Sequence, residues 1–146
     1  MDKKYTTINY KQTQELGENF AKEILKLLPK NMATVFGLKG NLGGGKTTFL
    51  QGFAEGLGIE EKILSPTFVI LKRFMLAGHF ENFYHIDCYR LKNEKDIFDL
   101  DFKEIISNPK NIVAIEWPEK IKKVLPKDTI IIKFKFVDKD KREIKF

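Results

Sequence analysis

The segment Gly40-Asn41-Leu42-Gly43-Gly44-Gly45-Lys46-Thr47 constrains this chain more than any other. It fits the pattern G-x-x-x-x-G-K-[ST]. In that pattern glycines let the backbone curl, so that successive amide N–H groups point inward around phosphate oxygens. Before it, Ala33 to Leu38 is a mostly apolar run without alternation, which predicts a strand covered on both faces. After it, Lys46 to about Leu57 predicts a helix that ends at Gly56 and Gly58. Strand, glycine-rich loop and helix in this order is the setting in which the motif holds a nucleotide. In a chain of this composition chance supplies the pattern less than about once in a hundred. The competing reading is a glycine-rich strand-to-helix turn that holds nothing.

If the loop holds a nucleotide, the residue types assign its contacts. The backbone around Gly40, Leu42, Gly43, Gly44 and Gly45, with the helix N-terminus, holds phosphate oxygens. Lys46 reaches the β- and γ-phosphates, the Thr47 hydroxyl binds Mg²⁺, and Thr48 hydrogen-bonds the α-phosphate. The cofactors expected are therefore ATP or ADP with Mg²⁺.

Elsewhere, Tyr5 to Asn9 predicts a first strand. Thr13 caps a helix that runs to about Leu28, with Glu15 in its first turn and Leu16, Phe20, Ile24, Leu27 and Leu28 on one buried face. Pro29 and Asn31 mark its end, and Ser65-Pro66 marks a turn or loop. Strands are expected over Phe68 to Leu76 and Asn82 to Asp87, joined around Ala77-Gly78-His79. Lys92 to Ser107 holds one or two short helices, Ile112 to Trp117 another buried strand, and Pro118 to Val124 a helical turn. Thr129 to Val137 and Arg142 to Phe146 form a closing hairpin around Asp138-Lys139-Asp140. The fold class expected is α/β: a P-loop NTPase-like three-layer fold, its central partly parallel sheet flanked by antiparallel strands. A chain of 146 residues without repeats or a dividing linker is expected to form one domain, residues 1–146.

No apolar run approaches the ~18 residues of a membrane span, and the N-terminus lacks the apolar core of a signal peptide. One cysteine, Cys88, excludes an internal disulfide and fits a reducing compartment, so a cytoplasmic location is expected. The net charge is +6. It points to a nucleic-acid partner, or it is compositional: all but three of the 26 basic residues are lysine, spread along the chain, whereas arginine suits bidentate phosphate and base contacts.

A nucleotide-hydrolysing loop of this kind needs an acid near the magnesium, usually at the end of a buried strand. Asp87 after Phe83-Tyr84-His85-Ile86 and Glu116 after Ile112-Val113-Ala114-Ile115 both qualify. Each could instead form a salt bridge or face solvent at a strand end. His85 shares a strand face with Asp87 and reads as a packed histidine rather than a ligand. Arg90 touches phosphate or pairs with an acid. Trp117 reads as a core or rim contact.

Four segments now occur in order: the glycine-rich loop through Thr48-Phe49, Ser65-Pro66-Thr67-Phe68, His85-Ile86-Asp87-Cys88-Tyr89-Arg90-Leu91, and Ile115-Glu116-Trp117-Pro118-Glu119. Together they resemble the TsaE family, also called YjeE, the bacterial ATPases of tRNA threonylcarbamoyladenosine synthesis. The resemblance runs from the Thr13-Gln14-Glu15-Leu16-Gly17 segment to Arg142-Glu143. It implies an ATPase that works with TsaB and TsaD, where TsaD transfers the threonylcarbamoyl group to the adenosine beside the anticodon. It also implies Thr47 and Glu116 as magnesium ligands, Asp87 beside the metal and its water, and Thr67 as a switch-like residue facing the nucleotide. The regions of Tyr10 and Lys141 are implied near the adenine. The family commonly has Asp at the position of Asn41 and Ala at that of Gly44; Asn41 removes a negative charge close to the phosphates.

The mechanism expected is in-line attack of water on ATP. Lys46 and Mg²⁺ offset charge, and Asp87 or Glu116 orients the water or the metal shell. No arginine finger is evident, so activity alone should be slow and rise on partner docking. Two other readings carry the same loop. A small-molecule or nucleoside kinase would need an acceptor pocket and an arginine-bearing lid. A nucleotide-dependent interaction module would not hydrolyse usefully. The basic charge has two targets, tRNA directly or an acidic surface of a partner.

Overall fold

A computed structural model describes residues 3–28, 30–41, 43–63 and 71–146. The elements in chain order are β1 (Lys4–Thr7), α1 (Tyr10–Leu25), β2 (Thr34–Lys39), α2 (Lys46–Gly56), β3 (Leu71–Met75) and β4 (Asn82–Asp87). A 3₁₀ segment over Glu94–Leu100, α3 (Phe102–Ser107), β5 (Asn111–Glu116), a second 3₁₀ segment over Pro118–Val124, β6 (Ile130–Phe136) and β7 (Arg142–Lys145) follow. They fall into two compact units. One comprises Met1–Leu27, Gly40–Ser65 and Ile132–Phe146, the other Leu28–Lys39 and Pro66–Ile131.

In the first unit α1 starts earlier than its sequence suggests. The cap is Asn9, whose side-chain oxygen accepts the Gln12 N–H at 2.9 Å. Asn9 is extended and precedes the helix, so its amide oxygen can reach back to the exposed donors. Thr13, expected as the cap, lies inside the helix, buried, with its hydroxyl 2.7 Å from that of Thr7. Glu15 is consequently outside the first turn. The buried face also differs: it is Thr13, Gly17, Ala21 and Ile24, while Leu16 and Phe20 are half-buried. The helix ends at Leu25 instead of about Leu28, and Leu28, beyond it, is 83% exposed.

The reason is close helix packing. A Cβ on Gly17 would run into the Phe49 carbonyl oxygen, one on Gly52 into the Gln14 carbonyl, and one on Gly56 would sit 2.7 Å from Ala21 Cβ. Small residues let the α1 and α2 backbones touch. Phe20 then lies beside that seam, 5.7 Å from the Phe53 ring and 5.2 Å from Phe146. Gly52→Ala is expected to force the helices apart and cost about 1–3 kcal/mol, a fall in melting temperature of several degrees by calorimetry. An unchanged melting temperature would show that the seam is looser than this packing.

The sheet of the first unit is antiparallel, with β7 between β1 and β6. Tyr5, Ile144 and Phe134 are in register on the apolar face, and Lys4, Lys145 and Lys133 on the other. Lys4 Nζ lies 3.2 Å from a Glu143 carboxylate oxygen.

In the second unit the order is β2-β5-β4-β3, with β2 and β4 parallel to β5 and β3 antiparallel to β4. The unbroken apolar runs of β2 and β5 are buried along their lengths, as parallel strands require. On one face Val35, Ile86, Val113 and Ile115 pack with Ile97, Phe102, Ile105 and Ile121 from the helical segments. The fold class is thus the expected mixed α/β arrangement, with partly parallel and antiparallel strands and flanking helices. β5 runs from Asn111 to Glu116 instead of ending at Trp117, because Trp117 takes a left-handed backbone (φ 59°). The Ser65-Pro66 turn and the expected first residues of β3 lie outside the described residues. No helix among the described residues is long and apolar enough to cross a membrane.

Cys88 is fully buried, and its thiol is pushed up to about 12, first by burial and then by the charges of Asp87 and Glu119. The buried neutral thiol contributes stability below its ordinary pKa of 9.0 that is lost as pH rises toward 12. At pH 8 the folded protein is expected to react with iodoacetamide about 10³-fold more slowly than the urea-unfolded chain. Equal rates, followed by mass spectrometry, would contradict the buried placement.

Candidate functional site

β2 ends at Lys39, and the glycine-rich loop begins with the next residue. Gly40 lies where a Cβ would strike the Phe134 carbonyl oxygen, so no larger residue fits. The Gly44 N–H donates to Asn41 O at 3.2 Å and closes a turn. Gly45 has φ 98°, a left-handed conformation that favours glycine, and stands at the head of α2 with no side chain capping the helix. The first intrahelical bond is Phe49 N–H to Gly45 O at 2.9 Å. The amides of Lys46, Thr47 and Thr48 therefore point out of the helix end without an intrahelical acceptor. Uncapped amides with the positive end of the helix dipole are an anion site.

Lys46 is buried, and its ammonium donates to the Gly40 carbonyl at 2.7 Å, folding back over the loop it follows. Thr47 and Thr48 are half-buried in the first turn of α2. Leu42 lies outside the described residues.

Two expected residues sit in the same unit. Tyr10 begins α1 and is 64% exposed. Lys141 closes the β6–β7 turn through its N–H to Asp138 O at 3.1 Å. Their neighbours define the flank of the loop: a Cβ on Gly45 would lie 3.6 Å from both Thr13 Cγ2 and Arg142 Cγ. Arg142 Nη1 donates to the carbonyls of Asp138 (2.7 Å) and Lys141 (3.1 Å), and the guanidinium lies 4.6 Å from the Phe136 ring centroid. Sequence reasoning gave Arg142 no role. The signal was there in strand alternation, which puts residue 142 on the face of Ile144.

The acids belong to the second unit. Parallel register sets Leu38, Glu116 and Asp87 side by side at the C-terminal ends of β2, β5 and β4. Leu38 is two residues before Gly40 in the chain. In open α/β sheets ligands bind outside these strand ends. Glu116 is buried and its Oε2 lies 2.7 Å from Nε2 of buried His85. His85 is the packed histidine expected. Asp87 is half-buried, and one of its carboxylate oxygens accepts the Tyr89 N–H at 3.0 Å. Tyr89 packs on Trp117 with ring centroids 5.1 Å apart, and Trp117, partly buried, packs against the core of the second unit. Arg90 is exposed. Thr67 lies outside the described residues.

Among the described residues no group of three or more His, Cys, Asp or Glu could hold a metal ion. The donors at the ends of β4 and β5 are the carboxylate oxygens of Asp87 and Glu116. They suit Mg²⁺, which typically takes one or two carboxylates and completes its shell with phosphate oxygens and water.

The family model described as "Threonylcarbamoyl adenosine biosynthesis protein TsaE" matches residues 7–144. The chain belongs to the TsaE family. Among relatives named tRNA threonylcarbamoyladenosine biosynthesis protein TsaE, that of Bacillus subtilis is 36% identical over 146 residues, covering 98% of this chain and 84% of the relative. That of Haemophilus influenzae is 34% identical, over 88% of this chain and 78% of its own. That of Borreliella burgdorferi is 37% identical, over 82% and 84%. The crystal structure of Bacillus subtilis YdiB superposes with a TM-score of 0.67 at 31% identity, covering 100% of this chain and 84% of YdiB. TsaE membership covers both the segment with the glycine-rich loop and the segments that end in Asp87 and Glu116.

Proposed function

We propose that this TsaE-family chain binds ATP with Mg²⁺, hydrolyses it slowly, and serves tRNA threonylcarbamoyladenosine biosynthesis together with TsaB and TsaD. The observation that carries the reading is the uncapped amino end of α2, with the Lys46 ammonium folded over the loop that precedes it. A strand-to-helix turn that held nothing would have no need of a buried lysine folded over it. The curated relatives carry the biosynthetic name, and the partners follow from the family resemblance.

In this reading the amides at the head of α2 and the Lys46 ammonium hold phosphate oxygens. Thr47 Oγ1 and a Glu116 oxygen hold Mg²⁺, which neutralises charge on the phosphates when bound. Asp87 orients the attacking water, and Thr67 faces the nucleotide. Water adds to the terminal phosphorus as the bond to the leaving ADP oxygen breaks, giving ADP and phosphate. The region of Tyr10 and the turn ending at Lys141 face the base. Arg142 is tied to its own turn, and two of its five N–H donors already serve that turn's carbonyls. It does not act as an arginine finger, so partner docking is expected to raise the rate.

Reconstitution tests the reading. tRNA modification by TsaB, TsaD and this chain is measured with ATP, alongside ADP release by this chain alone and by the mixture. The proposal expects modification that requires the chain, and faster ADP release in the mixture. Modification unaffected by omitting the chain overturns it, and phosphate transfer to a nucleoside in an acceptor screen would favour a kinase.

A further inference from the structure

We propose that His85 is a positioning residue for Glu116, and that it sets how tightly the chain holds the divalent cation of a bound nucleotide. The inference rests on the reading of Glu116 as a cation ligand.

His85 and Asp87 share one face of β4, and parallel register puts Glu116 and Ala114 on the same face of β5. Ala114 stands directly opposite His85. Its methyl group leaves room for the imidazole to lean along the sheet toward Glu116, two residues further on. There Nε2–H donates to Oε2 at 2.7 Å, with the two side chains only 3% and 5% exposed.

A glutamate has three side-chain torsions, and the last, which turns the carboxylate plane, is broad and weakly held on its own. The imidazole fixes that plane by engaging one oxygen and leaves the other for the cation. Carboxylates that ligate metals are themselves commonly hydrogen-bonded, and removing such a partner typically costs about 10–100-fold in metal affinity or activity. Asp87 is braced differently, by the backbone N–H of Tyr89 within its own turn. Glu116 is engaged by a side chain on the neighbouring strand β4.

The probe is Mn²⁺, titrated by electron paramagnetic resonance into the ADP-bound protein. Metal-free ADP affinity is measured in parallel for wild type, His85→Phe, His85→Gln and Glu116→Gln. Phenylalanine fills the ring space without a donor; glutamine restores an N–H of similar reach. His85→Phe is expected to weaken Mn²⁺ binding about 10–100-fold, with metal-free ADP affinity within about twofold of wild type. His85→Gln is expected to recover part of the loss. Should the phenylalanine variant not fold, His85→Ala takes its place, and should neither fold, His85→Gln against wild type decides, a Mn²⁺ affinity between those of wild type and Glu116→Gln being required. Wild-type Mn²⁺ affinity in a folded donor-free variant, with loss in Glu116→Gln, overturns the role of His85 alone. Undiminished Mn²⁺ binding in Glu116→Gln overturns the reading of Glu116 beneath it.

Discussion

Replacing Lys46 with alanine is expected to lower ATP hydrolysis by about 10²–10³-fold, the cost of removing one well-aimed donor to developing charge. Lys46 is buried, and its ammonium is held 2.7 Å from the Gly40 carbonyl, at the start of the loop that would hold the phosphates. In that position it offsets negative charge on the phosphoryl group as the bond to the leaving oxygen stretches. A buried cation shielded from water acts more strongly than one in solvent. The substitution also removes a phosphate contact from the ground state, so nucleotide affinity falls with the rate. Alanine is a good helix former at the first position of α2, and the hydrogen bond to the Gly40 carbonyl that it gives up is worth about 1 kcal/mol. Single-turnover hydrolysis, nucleotide titration and a thermal melt separate these effects. A variant that hydrolyses at the wild-type rate would remove Lys46 from the mechanism.

Glu116→Gln is expected to reduce hydrolysis at least about 100-fold while leaving metal-free nucleotide binding intact. Glutamine keeps the shape of the side chain, and its carbonyl oxygen can still accept from His85, so the strand end keeps its packing. What disappears is the negative charge that attracts Mg²⁺. Glu116→Ala is a different perturbation. It leaves the buried His85 nitrogen without its 2.7 Å partner and is expected to cost about 1–3 kcal/mol of stability. The pair of variants distinguishes charge from packing: activity lost in both but stability lost only in alanine is the expected pattern. Wild-type turnover in the glutamine variant would move the cation site away from Glu116.

The parts of this molecule written in local patterns were legible before the structure. The strand preceding the loop, the helix following it, the buried runs ending in Asp87 and Glu116 and the closing hairpin all follow from unbroken apolar stretches, glycines and strand alternation. Seeing that Leu38, Glu116 and Asp87 share one row required the parallel register of β2, β5 and β4, which no local pattern states. α1 was misjudged for a tertiary reason. Its large apolar residues follow helical spacing, yet backbone contact with α2 through Gly17, Gly52 and Gly56 puts the small residues innermost and leaves Leu16 and Phe20 half-buried, while the helix ends at Leu25, before Leu27 and Leu28. Its cap was misplaced by four residues because Asn9 and Thr13 are both competent caps, and Thr13 is committed instead to Thr7. The His85–Glu116 pair could not be read from spacing, since 31 residues separate two partners that adjacent strands bring together.

A calorimetric titration of ATP with Mg²⁺ into the wild-type protein and into Lys46→Ala is the sharpest test of nucleotide binding at the head of α2. Saturable uptake of one nucleotide per chain by the wild type, weakened at least about tenfold in the variant, is what an uncapped helix end guarded by Lys46 requires. No heat and no saturation with the folded wild-type protein, or equal affinity in the two proteins, would contradict it.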